Sequence, residues 1–393
     1  MKILFLSWAY PKSNTPYLGI WAHQQALALT AKGVDVEVMN TVPYIPHLAG
    51  HLSAKIKRYA HIPKQEHYDG IKVYHPKFLR AIPGSILDRL LFQLTGLQSR
   101  MVLAAMGKTV DLRQYQLIHA HNLFPDGATA YLLSRKYRIP YVITLHDVDQ
   151  YNSLADKGML KELSRKIISH AKKVFVVSNR VKNNIISQLP EQNVQLLYNT
   201  FYTEDKQLQG RGRNKKIVAI ASLIERKGIH ILLQAFHRIA SLNKDYELVI
   251  IGNGSEMESL IKLTQQLNLQ ERVTFRGTLR HQEAMEELAN ASIFCLPSWD
   301  EAFGVVYAEA MSYGIPIIGC RGEGIGDLVT HLENGMLVES QNIDELTEAL
   351  QYLISNVQEA WLIGNRGKES IDNLHPRTFG GKLLEQYEEV LSS

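Results

Sequence analysis

The sequence predicts an α/β protein built from two doubly wound halves, each around a parallel sheet. Three observations carry this. Short apolar runs of strand length alternate with helix-length amphipathic segments over most of the chain, the pattern of βα units. A length of 393 residues allows two or three cores. The charge is divided: residues 1–198 hold 25 Lys+Arg against 12 Asp+Glu, and residues 199–393 hold 18 against 27, so +13 and −9 lie within a net +4. A basic front half and an acidic back half suggest two domains with different partners, an anionic acceptor or acidic membrane surface for the first; solvated surface alone also produces such an imbalance.

The composition, 45% hydrophobic and 21% charged, is that of an ordinary soluble protein. Cys295 and Cys320 sit in apolar strand-like runs and read as small core residues in a reducing compartment. The N-terminus, MKILFLSWAYP, is broken too early by Pro11 to be a signal peptide or a membrane span.

Taken in order, Lys2–Trp8 is a near-continuous apolar run, as a strand buried on both faces should be. Trp21–Lys32 has helical spacing and is stopped by Gly33; Val34–Met39 alternates as a strand. This opening lacks G-x-G-x-x-G, which argues against a nicotinamide dinucleotide. Residues 41–110 are the least regular. Within them Ile86–Met106 reads as an amphipathic helix, either lying on a membrane interface or lipid-acceptor groove, or packing on its own domain. The βα alternation resumes at Gln116. Strand-like runs end at His121 and at His146 (YVITLH), and strand C-terminal ends are where α/β proteins bind ligands. His119 reads as structural. Val174–Ser178 and Val194–Asn199 complete the first sheet, and the polar run Thr200–Lys215 reads as a linker.

The second half opens with the strand Lys216–Ala221 and the helix Ile229–Ala240. Arg226 and Lys227 precede that helix, the wrong end for cations unless they share an anion with its dipole, as a diphosphate would provide. Glu247–Gly252 is a strand followed by a helix from about Ser255, with Gly252 and Gly254 in the turn; Val273–Gly277, Ser292–Leu296 and Pro316–Cys320 are further strands, and Ile343–Ile354 and Thr378–Leu391 are helical. The expected division is therefore 1–199, a linker 200–215, a second domain 216–375, and a C-terminal segment 376–393.

The chemistry gathers in Pro297–Gly314, PSWDEAFGVVYAEAMSYG. Strand, polar loop and helix start follow one another, and unpaired N–H groups at a helix start point at an anion. Glu309 lies among Val305, Val306, Tyr307, Ala308, Ala310 and Met311. A carboxylate buried there needs donors, such as a sugar diol; a solvated helix face is the alternative.

Glu301 and Glu309, with seven residues between them and Phe303-Gly304 after the first, resemble the E-x7-E signature of retaining glycosyltransferases of family 4, and PSxxExFGxVxxEAMxxGxP is matched almost throughout. The resemblance is thin over residues 41–110 and good over most of 115–355. It implies the GT-B fold, two Rossmann-like domains facing across a cleft, with the donor nucleotide-sugar mainly on the second domain, the acceptor on the first, and the last helix crossing back to the first.

The family's motifs carry over residue by residue. Glu301 would hold the sugar hydroxyls and Glu309 the ribose diol, with the amides around Phe303, Gly304 and Val305 facing the diphosphate. Lys227 with Gly228 matches the family's Arg…Lys-Gly diphosphate grip. The usual arginine position is Ser222 here, and Arg226 is the substitute. Gly19 belongs to the N-terminal donor loop, and Gly252 and Gly254 to a second. His121 ends the H-x-H strand on the acceptor side, and His146 faces donor sugar and acceptor. Asp149 matches H-G-x-D and reads as a structural or domain-closing carboxylate. Asp147-Val148-Asp149 also spells the D-x-D of metal-dependent transferases.

The expectation is a retaining transfer from a nucleotide-diphospho-sugar, UDP before GDP, to a saccharide or lipid-linked saccharide, as in polysaccharide synthesis. No metal or cofactor is expected; the nucleotide-sugar is a substrate. The expected place is cytoplasmic, with peripheral contact at the anionic inner face of the membrane. Rival readings are a nucleotide-sugar epimerase, a metal-dependent transferase using Asp147 and Asp149, and a nucleic-acid-binding protein using the basic half, for which no binding motif is present.

Overall fold

The computed structural model describes residues 1–12, 15, 18–45, 59, 61–78, 95–146, 158–188, 194–201 and 214–392. Asp147, Asp149 and most of the expected linker lie outside them. The chain divides into two compact units, Met1–Asn199 with Pro376–Ser393, and Thr200–His375.

In the first unit, β1 (Lys2–Leu6), β2 (Asp35–Met39), β4 (Gln65–Tyr68), β5 (Ile71–Tyr74), β7 (Leu117–His121), β8 (Tyr141–Leu145), β9 (Lys173–Val176) and β10 (Val194–Leu196) form one sheet in the order β10-β9-β8-β7-β1-β2-β5-β4. Every pair is parallel except the hairpin β4–β5. Two short strands, β3 (Val42–Pro43) and β6 (Lys77–Phe78), pair separately. The apolar runs predicted β1, β2, β7, β8 and β9 to within two residues, because strands buried on both faces have little choice but Val, Ile, Leu and Phe, whereas β10 ends three residues short of the expected run and β3, β5 and β6 fall in residues 41–110, where no strand was expected.

The hairpin is an addition. Its turn is Asp69-Gly70, both at positive φ (48° and 81°), the backbone of the two-residue turn that suits strand twist.

Helix α1 (Ile20–Thr30) is buried by β1 and β2 on one side and by the C-terminal helix Pro376–Ser392 on the other. Phe379, Leu383, Tyr387 and Val390 share a core with Ile3, Phe5, Ala26 and Leu29. A Cβ on Gly380 would lie 2.3 Å from the Ala28 carbonyl oxygen, so glycine is what lets these two helices touch. Of the expected helix Ile86–Met106, the described part is α2 (Thr95–Gly107), which packs on α3 (Ala128–Tyr137) and β6 of its own unit. Helices α4 (Gly158–His170) and α5 (Asn179–Gln188) follow β8 and β9.

Among the described residues, the second unit holds six parallel strands: β11 (Lys216–Ile220), β12 (Glu247–Ile251), β13 (Val273–Gly277), β14 (Ile293–Cys295), β15 (Ile317–Cys320) and β16 (Met336–Val338). Their order is β13-β12-β11-β14-β15-β16, so the first strand sits between the second and the fourth. This is the Rossmann arrangement, and it opens a crevice where the winding reverses, beyond the C-terminal ends of β11 and β14. The first unit reverses likewise between β1 and β7. Helices α6 (Ile229–Ala240), α7 (Met257–Gln266), α8 (His281–Ala289), α9 (Val305–Ser312), α10 (Ile343–Ser355) and α11 (Val357–Ser370) complete the unit. Cys295 and Cys320 are buried and free, and burial raises both thiols, Cys320 to about 11, so they behave as apolar core. Among the described residues no helix is long and apolar enough to cross a membrane.

Candidate active site

In the second unit, β11 runs out into a turn, Glu225–Lys227, that stands against the loop after β14. The Trp299 N–H donates to the Arg226 carbonyl (2.9 Å), and the Arg226 guanidinium donates to the Asp300 carbonyl (3.0 Å). Gly228 permits the close approach: it has φ 68°, and a Cβ there would lie 2.2 Å from the Pro297 carbonyl oxygen. The Lys227 ammonium pairs with the Glu301 carboxylate, the two side chains being only 14% and 13% exposed. The Glu301 N–H donates to Glu323 Oε2 at 2.7 Å. Glu323 follows β15 at the same edge of the sheet; no motif marked it, although a polar residue just past a strand end was a signal that could have found it.

Three residues beyond Glu301, Gly304 (φ 75°) caps α9 with no side-chain cap and no acid in the first turn. The helix start is left to another acceptor. Phe303 is buried, and a Cβ on Gly304 would strike the Tyr307 ring at 2.5 Å. Glu309 lies one turn further along α9 and is buried rather than solvated. His281 Nε2, at the start of α8, is 2.9 Å from its Oε1. The buried carboxylate therefore has a donor when that nitrogen carries the proton. Gly252 and Gly254 carry the turn after β12 tight against β11: Cβ atoms there would lie 1.8 and 2.1 Å from the Ala221 and Leu223 carbonyl oxygens. One edge of one unit thus brings together Arg226, Lys227, Glu301, Phe303, Gly304, Val305 and Glu309, with Gly252 and Gly254 on the neighbouring strand end.

In the first unit the corresponding edge is built from histidines. His119 is fully engaged, Nδ1 with the Tyr387 hydroxyl of the C-terminal helix and Nε2 with Thr144 Oγ1 (2.7 Å). His121 stacks on it at 4.4 Å, and its Nδ1 is 3.0 Å from His146 Nε2. Trp21, at the start of α1, stacks on His146 at 3.7 Å. Burial holds His119 at about 3 and pushes His121 and His146 well below the usual range, so the column is neutral. Whichever of His121 and His146 donates to the other, one N–H and one bare nitrogen remain, and His121 Nε2 and His146 Nδ1 are buried without a partner. Gly19 (φ 72°) opens α1, and a Cβ there would lie 1.7 Å from the Ala9 carbonyl oxygen. Trp21 was not singled out in the sequence; its position two residues after Gly19 was the available sign. Among the described residues no group of three His, Cys, Asp or Glu could hold a metal ion.

Two family models match the chain, Glycosyltransferase Family 4 over residues 18–205 and Glycosyl transferases group 1 over residues 201–370. The N-acetyl-alpha-D-glucosaminyl L-malate synthase of Bacillus anthracis is 28% identical over 307 residues, which cover 75% of this chain and 77% of the relative. Among solved structures, sucrose-phosphate synthase from Thermosynechococcus elongatus aligns with TM-score 0.78 at 20% identity over 100% of this chain and 99% of its own. Anabaena Alr3699/HepE in complex with UDP-glucose aligns with TM-score 0.71 at 19% identity over 99% and 100%. With both sheets wound as Rossmann-like domains and both halves matched, the chain belongs to glycosyltransferase family 4 and has the GT-B fold.

Proposed function

We propose that this glycosyltransferase moves a sugar, with retention, from a nucleotide-diphospho-sugar to a saccharide or lipid-linked saccharide, without a metal ion. The observation that carries the donor reading is the Lys227–Glu301 pair in front of the uncapped start of α9, with Glu309 buried on the same helix. A diphosphate draws Lys227 from its carboxylate and takes up the helix-start amides near Phe303–Val305, with Arg226 beside them. Glu301, released, accepts from the sugar hydroxyls, and Glu309 from the ribose diol. As the glycosidic bond lengthens, charge collects on the departing diphosphate, where Lys227 and the amides already point; such fixed donors in a dry site are each worth about 3 kcal/mol. The acceptor hydroxyl attacks from the same face, its bond to the sugar forming as the bond to the diphosphate breaks and its proton passing to the departing diphosphate. Neutral His146 hydrogen-bonds a hydroxyl rather than carrying charge. UDP is preferred to GDP, and the similarity in fold to a protein in complex with UDP-glucose supports that choice. Contact of the basic unit with anionic membrane belongs to the same reading, and sedimentation with anionic vesicles tests it.

Calorimetric titration of UDP, GDP and ADP, each with EDTA, on wild type and Glu309→Ala tests the donor site. Selective binding of one nucleotide, weakened about tenfold or more in the variant, is expected from the loss of charged hydrogen bonds to a diol. Unchanged affinity in Glu309→Ala would remove the ribose assignment. Binding that appears only with Mn²⁺ would instead favour a metal-dependent enzyme.

A further inference from the structure

A second cluster lies at the C-terminal ends of β1 and β2. Asn40 is its hub and is fully buried. Its amide nitrogen donates to the carbonyls of Ser7 (2.8 Å) and Trp8 (2.7 Å), and its Oδ1 accepts from Lys12 Nζ (3.0 Å) and stands 3.1 Å from His75 Nδ1. Lys12 is 4% exposed and makes no ion pair among the described residues. Its other bond goes to the Tyr10 carbonyl at 3.3 Å, so one of its three donors is unused. Two side chains on residues that adjoin the hub carry a buried, unpartnered polar atom: Thr41 Oγ1, on the residue after Asn40, and Trp8 Nε1, on the residue whose carbonyl Asn40 holds. The adjoining carboxylates are engaged, Glu66 by His75 Nε2 (2.9 Å) and Asp126 by the Trp8 backbone N–H (3.1 Å). The cluster therefore has a positive charge removed from water and spare donors; Glu66 attracts that charge from a distance, but its hydrogen bond goes to His75 and no carboxylate bonds Lys12 among the described residues. A buried charge in that condition is costly unless a ligand supplies the opposite one.

We propose that Lys12, with Thr41 and Trp8 around Asn40, forms an oxyanion subsite that holds a carboxylate or phosphate group carried by the acceptor. The proposal rests on the reading of the first unit as the acceptor side, and it narrows the acceptor to an acidic saccharide or a phosphate-bearing one. Burial brings Lys12 down to about 8, which leaves it mainly charged at neutral pH.

The test uses ¹⁵N-labelled full-length protein and the indole N–H signal of Trp8, assigned with Trp8→Phe. The probes are D-glucuronate, sn-glycerol 3-phosphate and, as a neutral control, methyl α-D-glucoside. One or both anions should shift and saturate the Trp8 signal, and the neutral glycoside should not; which anion does so separates carboxylate from phosphate. Lys12→Met should weaken the anion about tenfold or more, while its affinity for UDP stays within about twofold of wild type, because a charge-assisted bond is lost only at this subsite. Thr41→Val, which keeps shape and loses the hydroxyl, should weaken it about threefold and serves if Lys12→Met does not fold. A silent Trp8 signal with both anions, an equal response to the neutral glycoside, or wild-type anion affinity in both variants would overturn the proposal. Failure of UDP to bind would strike the donor reading and leave the anion result standing.

Discussion

The two sheets end in opposite kinds of polar chemistry. At the edge of the second unit charged groups meet charged or ionisable partners: Lys227 has Glu301, Glu309 has His281, and the Glu301 amide has Glu323. At the edge of the first, the histidines are neutral, and Lys12, Thr41, Trp8, His121 and His146 have donors or acceptors to spare. The same architecture therefore prepares its two sites differently. One holds its charges in pairs that a charged ligand can exchange. The other bears a standing cost that a ligand would relieve.

The largest effect should come from breaking the exchangeable pair. Lys227→Ala removes a donor to the leaving group and leaves Glu301 without its cation; kcat should fall about 10²–10³-fold, measured with the donor identified by nucleotide titration. If turnover barely changes, the second edge is not the donor site. Next, Gly252→Ala should cost about 3 kcal/mol in urea denaturation, since its φ of 135° and the Ala221 carbonyl 1.8 Å from the new Cβ leave it no room.

Lys12→Met should do the reverse and stabilise the protein by up to about 3 kcal/mol at pH 7, because a folded-state value near 8 against an ordinary 10.5 measures the cost of burying the charge. The sign gives a pH signature. The folded state releases this proton first, so wild type gains stability as pH rises from about 8 to 10.5, and the advantage of the variant should fade over that window. An advantage independent of pH would mean that the methionine merely packs better. The smallest effect should be at the His23–Asp69 contact (3.0 Å), where Asp69 is 66% exposed: Asp69→Asn should change stability by less than about 1 kcal/mol.

Much of the fold was legible locally. Lys216–Ile220, Ile229–Ala240 and Val273–Gly277 could be read nearly to the residue, since a central parallel strand or a core-facing helix needs a continuous apolar run or stripe. The hairpin over 65–74 was also written in the chain, as Asp69-Gly70 between alternating residues, but prolines and lysines around it masked the pattern. The close approaches at Gly228, Gly252 and Gly254 could be anticipated as glycines after strand ends, though not what they touch.

By itself the sequence determined the βα alternation, the position of Lys227 before a helix, and the placing of Glu301 and Glu309 on one loop and helix, because spacing along a chain sets geometry over a few residues. Only the tertiary structure decided the strand orders that open the two crevices, and the partners drawn from afar: His281 for Glu309, Glu323 for the Glu301 amide, Tyr387 for His119, and Asn40 for a lysine in a proline-flanked loop. A side chain's identity states what it can bond, but burial and partner are properties of the packed chain, and they separate a solvated charge from one that awaits a ligand.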